Sequence, residues 1–259
     1  TYSVDGWTGY FSYALANKEP NRDDFEAGAT QQPKPETLHD FELGIERRIY
    51  NGSWGATLYY MNYHNQLVLT GKINDVGAYV RTNIPNSYRM GIELQGKWQP
   101  VYWFNTSGNI SFSRNKVRNY TAWYDDFDDG GQKSETYRES DISFSPNLIG
   151  NAIISFIPIK DFEINLTGKY VSKQYLDNTA NNSRMLADYY VQDIRLSYTL
   201  RRFVFRETDF ILQVNNLFNK KYEPNGYTYS YFSGGVQQSE NYYFPMAGMN
   251  FMFGLNIKL

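Results

Sequence analysis

A transmembrane antiparallel β-barrel, all-β throughout, is the fold class that three observations predict. The first is alternation at period two. In the closing segment, residues 251–259 (FMFGLNIKL), Phe251, Phe253, Leu255, Ile257 and Leu259 fall on one parity; Met252, Gly254, Asn256 and Lys258 fall on the other. That is a strand with one apolar and one largely polar face. One such strand also suits a half-buried sheet of a soluble β-sandwich; repetition along the chain favours the barrel. The second is the connections, which alternate between short turns and long loops, as in outer-membrane barrels. The third is composition: 24 Tyr and 17 Phe in 259 residues, with no apolar run approaching a transmembrane helix. Mean hydropathy is negative, which a barrel tolerates because half of each strand faces a wet lumen and its loops face water.

Taken in order, 6–17 (GWTGYFSYALAN) place Trp7, Gly9, Phe11, Tyr13 and Leu15 on one face. A polar loop covers 18–36. The next strand, 37–50, sets Phe41, Leu43, Ile45 and Ile49 outward and Glu42, Gly44 and Glu46 inward. Asn51-Gly52 between strands is a strong hairpin signal. Two long strands follow, 54–71 and 78–98, joined near Asn74-Asp75, and Gln99-Pro100 turns the chain. Residues 102–119 set Phe104, Ile110 and Phe112 against Asn105, Ser107, Asn109, Ser111 and Ser113. An acidic loop is expected over 120–144, a strand over 146–157 and a turn at 158–161. Phe162, Ile164 and Leu166 then alternate with Glu163, Asn165 and Lys169. After a polar loop at 177–187, Ile194, Leu196 and Tyr198 alternate with Asp193, Arg195 and Ser197. A basic turn at 201–207, a strand at 208–218, a Tyr- and Gly-rich loop at 219–239 and a closing strand at 240–259 complete the chain.

That makes ten strands, with the turns near 51, 100, 159 and 204 at one, periplasmic, end and the long loops outside. A crossing strand needs about 9–11 residues, so 54–71 and 78–98 should rise well above the bilayer. The inward residues are polar, which suits a wide wet lumen or a polar plug.

Several stretches resemble the TonB-dependent receptor family. They are residues 14–25 (ALANKEPNRDDF) followed by 33–44 (PKPETLHDFELG), then 55–67 (GATLYYMNYHNQL), then Asn83 to Gly91 with 88–93 (YRMGIE), and most specifically 214–222 (VNNLFNKKY). The resemblance covers almost the whole chain. It implies the last ten strands of a 22-stranded barrel, closed in the whole protein around an N-terminal plug that this chain lacks. The start shows no signal peptide, so the expectation is either a processed start or the later part of a longer protein. An open ten-strand sheet would leave two edges in lipid; a self-closing ten-stranded barrel is the alternative.

The resemblance further implies energised uptake of a large scarce solute, an iron-siderophore complex first, with cobalamin, haem and oligosaccharide as alternatives. The implied partners are the ferric siderophore, the lipid bilayer, the TonB complex through the absent N-terminal part, and a surface lipoprotein. Location in the outer membrane of a Gram-negative bacterium follows. Net charge is −2, which gives no sign of nucleic-acid binding. No cysteine is present, so disulfides and Cys metal sites are excluded. No cofactor and no metal site is expected. His39 and His64 lack metal-site spacing, and no catalytic constellation stands out; a small-barrel protease would need more histidine.

The candidate ligand-binding residues lie in the predicted loops: Arg22, Trp123, Tyr227, Tyr229 and Tyr231. Aromatic rings can flank a bulky solute, or can pack the loop itself. Arg22, Arg81 and Arg89 could hold an anionic chelate, or could pair with lumen carboxylates. Asp125 to Asp141 holds seven acidic and two basic residues, a solvated loop or, less simply, a calcium site without EF-hand spacing.

Overall fold

Alternating residues pair, in the computed structural model, into one large, almost wholly antiparallel sheet and a separate two-stranded one. The structure describes residues 1–26, 32–73, 78–201 and 204–259, the side chains of residues 23, 26 and 71–73 excepted. The strands are β1 (Tyr2–Val4), β2 (Trp7–Lys18), β3 (Glu36–Ile49), β4 (Gly52–Ile73), β5 (Tyr79–Val101), β6 (Phe104–Asp126), β7 (Gln132–Asp141), β8 (Leu148–Ile159), β9 (Phe162–Val171), β10 (Gln174–Tyr175), β11 (Met185–Leu186), β12 (Tyr189–Arg201), β13 (Glu207–Asn215), β14 (Asn225–Ser233), β15 (Val236–Phe244) and β16 (Asn250–Lys258). A five-residue helix α1 (Arg22–Glu26) sits in the first loop. Among the described residues no helix is long and apolar enough to cross a membrane; crossing falls to the strands.

The sheet runs β1-β2-β3-β4-β5-β6-β8-β9-β12-β13-β16, so the ten predicted wall strands are present beside the short β1. The turns lie at one end. Backbone bonds link each turn to its neighbour: Arg48 N to Gly6 O, Gln99 N to Asn51 O, Ile157 N to Trp103 O and Thr199 N to Asp161 O. The Asn74-Asp75 connection and two residues of the 201–207 turn fall outside the described residues.

Cross-strand register shows which residues share a face. Phe11, Leu43, Leu58, Ile92, Phe112 and Leu148 form one continuous row across six strands. Ile164, Leu196, Leu212 and Phe253 form another, and Phe162, Tyr198, Phe210 and Leu255 a third. Phe11, Leu43, Phe112, Ile164, Leu196 and Phe253 among them lie on the face that the sequence alternation marks as apolar. Phe11 is 66% exposed and Phe253 71%; whole rows of apolar side chains left this open suit a face covered by lipid. The opposite face carries Asn165, Arg195 and Gln213 in one row, and Glu93 and Ser111 in another.

Three expectations are corrected. The loop at 120–144 is instead a hairpin: β6 continues to Asp126 and returns as β7. The loop at 219–239 is a second hairpin, β14–β15, so the closing strand starts at Asn250 rather than residue 240. The self-closing ten-stranded barrel is not formed either, because β16 and the β1–β2 end remain unpaired with each other among the described residues.

β4, β5 and β6 hold 22, 23 and 23 residues, about twice what a bilayer needs. At one level all three strands reverse their faces. Asn65 and Asn119 adopt left-handed φ values of 53°, which Asn tolerates better than most residues. Pro85, which has no N–H to lose from the ladder, lies between them at the unpaired position of β5. Below it Val117 faces inward; above it Tyr120, Ala122 and Tyr124 take over that side. They pack with Val68, Ile84, Val117 and Ile142, and with half-buried Tyr137 and Phe232. The apolar core thus lies in a cap beyond the membrane rather than within the barrel wall.

Candidate functional site

The cap is assembled from the β6–β7 hairpin, the segment 172–188 and the β14–β15 hairpin. Its centre is polar. Arg184 is fully buried. Its Nη1 donates to Ser230 Oγ at 2.8 Å and its Nη2 to Thr179 Oγ1 at 2.7 Å. Its Nε lies 3.0 Å from Asp177 Oδ2, at ion-pair distance but without hydrogen-bond alignment. The guanidinium also sits 5.7 Å from the Tyr124 ring. Asp177 in turn accepts from the Thr179 hydroxyl at 2.6 Å. Beside it Asn178, also fully buried, accepts from Ser143 N at 2.8 Å and donates to Leu69 O at 2.7 Å. A buried charge is tolerable only with this degree of pairing.

The β14–β15 hairpin has two unlike faces. Gly226, Thr228 and Ser230 are buried against the 172–188 segment. Asn241 reinforces this, donating to Ser183 O at 2.7 Å. On the other face Tyr227, Tyr229 and Tyr231 stand in line, half-buried, paired with Tyr242, Glu240 and Gln238 of β15. Tyr227 stacks on Tyr242 at 4.8 Å. Tyr229 and Tyr231 lie 5.4 Å apart, and Phe127 meets Tyr231 edge-on at 5.3 Å.

β14 also pairs in parallel with the top of β6, Tyr231 opposite Asp125. That register places Asp125, and Trp123 two residues before it, on the tyrosine face. Tyr229 Oη donates to Asp125 Oδ2 at 2.8 Å; this bond to a carboxylate pushes the phenol up to about 12. Glu240 accepts from Tyr242 at 2.7 Å and Tyr231 at 3.1 Å, which holds its carboxyl below the usual range. At the hairpin tips, Asp128 accepts from Gly234 N at 2.7 Å and Gly235 N at 2.9 Å, so each tip fixes the other.

Four of the five sequence-predicted residues, Trp123, Tyr227, Tyr229 and Tyr231, therefore share one face. Arg22 lies at the start of α1, a helix tied to the wall where Arg81 meets Asp24 at 3.0 Å. Arg89 is bound to Ser145 Oγ at 3.0 Å and to Asn115 Oδ1 at 3.3 Å. His39 and His64 lie on the outward face of β3 and β4 with ring centroids 5.8 Å apart. Among the described residues no group of three His, Asp or Glu side chains could hold a metal ion. Sequence reading missed Phe127, Asp125, Glu240 and Tyr242 as members of this face; the Tyr-x-Tyr-x-Tyr alternation at 227–231 was the available signal.

Over residues 1–217 the chain matches the family model described as TonB dependent receptor-like, beta-barrel. The chain belongs to this family. No curated protein matches it. Solved TonB-dependent receptors share its fold. The ferric-catecholate import receptor Fiu of E. coli K12 superposes at TM-score 0.67 with 18% identity, over 99% of this chain and 33% of its own. The siderophore receptor PiuA of Acinetobacter baumannii gives 0.71 with 17% identity, over 98% of this chain and 34% of its own. The copper transporter OprC gives 0.68 with 17% identity, over 98% and 38%. The chain spans about a third of the length of these structures. A TonB-dependent receptor barrel resides in the Gram-negative outer membrane, which agrees with the lipid-facing rows. The family consists of receptors and transporters rather than enzymes.

Proposed function

We propose that this chain forms part of the wall and the outer mouth of a TonB-energised importer, and that its cargo is a ferric siderophore. It would supply ten strands at the C-terminal side of a 22-stranded barrel, with plug and remaining strands outside it. The observation that carries this reading is the aromatic face of the β14–β15 hairpin. Trp123, Tyr227, Tyr229 and Tyr231 present their rings on it, with the Tyr229 hydroxyl held by Asp125 and the Tyr231 hydroxyl by Glu240, a firm surface for a bulky solute. Each ring contact contributes about 0.5–1.5 kcal/mol beyond area burial, so tight capture requires several loops and the plug together. Arg22 on α1 is the candidate contributor from the first loop. Two of the three similar barrels described above are named for siderophores or ferric catecholate and the third for copper; the bulk of the tyrosine face favours a chelate over a bare ion.

A tight complex releases slowly by itself. Inward passage is therefore assigned to plug displacement driven by the TonB complex. Nothing in the cap speaks for a surface lipoprotein partner. The test is the full-length receptor with residues 225–244 replaced by a short turn. The expected result is loss of ferric-siderophore binding with retained barrel assembly; unchanged binding and uptake would return the tyrosines to a packing role.

A further inference from the structure

Strand pairing joins two side chains that lie far apart in sequence. On β3 the outward positions run Leu43, Phe41, His39 and Thr37, and on β4 they run Leu58, Tyr60, Asn62 and His64. Asn62 stands opposite His39 and His64 opposite Thr37, so His64 is the diagonal neighbour of His39. The two imidazole rings meet at right angles with centroids 5.8 Å apart. They lie above the row of Tyr13, Phe41 and Tyr60, and aromatic rows mark the membrane boundary in barrels of this kind. His64 is exposed and His39 half-buried, so solvent reaches the pair.

The ring nitrogens keep lone pairs to offer. Tyr13 Oη lies 3.0 Å from His39 Nδ1, and the Tyr13 ring stacks beside this imidazole at 6.2 Å. With Nδ1–H donating to the phenol oxygen, the His39 lone pair sits on Nε2, which has no partner among the described residues. An outer hydrogen bond of this kind fixes the tautomer and orientation of a metal-bound imidazole. His64 Nε2 meets only the Asn62 amide nitrogen, at a long 3.4 Å. Neither ring is ion-paired to a carboxylate among the described residues, so an entering cation displaces no salt bridge. A metal–nitrogen bond of about 2 Å places each ring centroid about 3 Å from the ion, and a separation of 5.8 Å is within the reach of one shared ion.

We propose that His39 and His64 form a two-imidazole site for a divalent transition-metal ion, Cu2+ before Ni2+ and Zn2+, held across β3 and β4 on the outer surface of the wall. Imidazole suits these ions, and without a closed ligand set to select among them the intrinsic order puts Cu2+ first. The pair belongs to no group of three His, Asp or Glu among the described residues, so water fills the remaining positions and the ion exchanges. Asn62 lies between the rings, and turning its amide over presents the carbonyl oxygen as a further ligand. The lumen positions of the same strands are Asp40 and Met61, on the opposite face, so the site stands apart from the import path. The inference is independent of the transported solute.

The test titrates Cu2+ alone into the metal-stripped full-length receptor in mild detergent. Electron paramagnetic resonance is expected to show an ion with two imidazole nitrogens in its plane. That signal is absent from H39Q/H64Q, which also subtracts copper held elsewhere in the receptor. H39Q or H64Q alone weakens this ion about a hundredfold, because the second imidazole no longer binds intramolecularly. Tyr13→Phe weakens it about tenfold and keeps both nitrogens. Heat-modifiable mobility reports assembly of each variant. A second measurement needs no variant: carbethoxylation mapped by mass spectrometry on the wild type should find His39 and His64 protected together at one copper concentration. Protection of one ring without the other, a single nitrogen in the copper plane, or a signal that survives H39Q/H64Q overturns the proposal. Tighter binding of Zn2+ than of Cu2+ overturns the choice of metal.

Discussion

Burying the guanidinium of Arg184 commits the cap to one arrangement, because its partners come from two separate segments, Asp177 and Thr179 on one and Ser230 on the other. Asp177→Ala leaves the charge buried without its counter-ion. It is expected to destabilise the cap by about 3–5 kcal/mol, and the double change Asp177→Ala with Arg184→Met to recover most of that loss. Urea unfolding followed by limited proteolysis of the 172–188 segment reads both. A single variant no weaker than wild type would show that Asp177 does not balance Arg184. Tyr229 gives a pH-dependent readout. Its phenol is pushed up to about 12 by the bond to Asp125, so the neutral form is favoured in the folded protein. The stabilisation is fully present below the ordinary phenol value of about 10 and is lost as pH rises through about 12. A tyrosinate difference titration of wild type against Tyr229→Phe should show this group ionising well above the ordinary phenol value, and Asp125→Asn should lower it toward the ordinary range.

The elements divide by how openly their faces announce themselves. In the ten wall strands the apolar side chains lie on the face that is covered, by lipid, and period-two alternation found all ten, although it started the closing strand at 240 instead of Asn250 and stopped β6 at 119 instead of Asp126. The cap hairpins invert the pattern. In β14 the covered face is Gly226, Thr228 and Ser230, small or polar, and the tyrosines stand half out, so the segment reads as a loop. Each cap hairpin nevertheless carries a Gly-Gly pair at positive φ, Gly130-Gly131 at 80° and 79° and Gly234-Gly235 at 67° and 75°, a hairpin-turn signature obscured by acidic and polar surroundings. The Arg184 network joins residues 46 and 5 apart in sequence to one side chain, and no local pattern encodes that. Face assignment in the wall is directly testable on β12. Leu196 pairs with Ile164 and Leu212 on the lipid side, and Ser197 with Glu163 on the lumen side. Leu196→Arg is expected to cost about 2–4 kcal/mol near the bilayer midplane, and Ser197→Arg within about 0.5 kcal/mol, in unfolding from lipid vesicles. A one-residue slip would exchange the two results.

At the scale of the whole sheet the unresolved demand is at its edges. β16 offers its nine residues' outer backbone groups on one side, and β2 beyond its three-residue pairing with β1 on the other. Among the described residues neither edge finds a partner. In hydrocarbon each unsatisfied N–H or C=O costs several kcal/mol, so two open edges outweigh the 5–15 kcal/mol by which folded domains are ordinarily stable. Closing the ten strands tightly on themselves does not remove this cost, since the lumen face is built from Glu93, Asn165, Arg195 and similar residues that require water or a polar plug. The 259-residue chain expressed by itself is therefore expected not to form a heat-modifiable monomer in lipid vesicles, remaining aggregated or paired edge to edge. Supplying further strands that complete a barrel should restore the monomer. An SDS-resistant, vesicle-inserted monomer of the isolated chain, with backbone amides of β16 protected from exchange, would mean that β2 and β16 can join after all, and would make the ten-stranded barrel the functional unit.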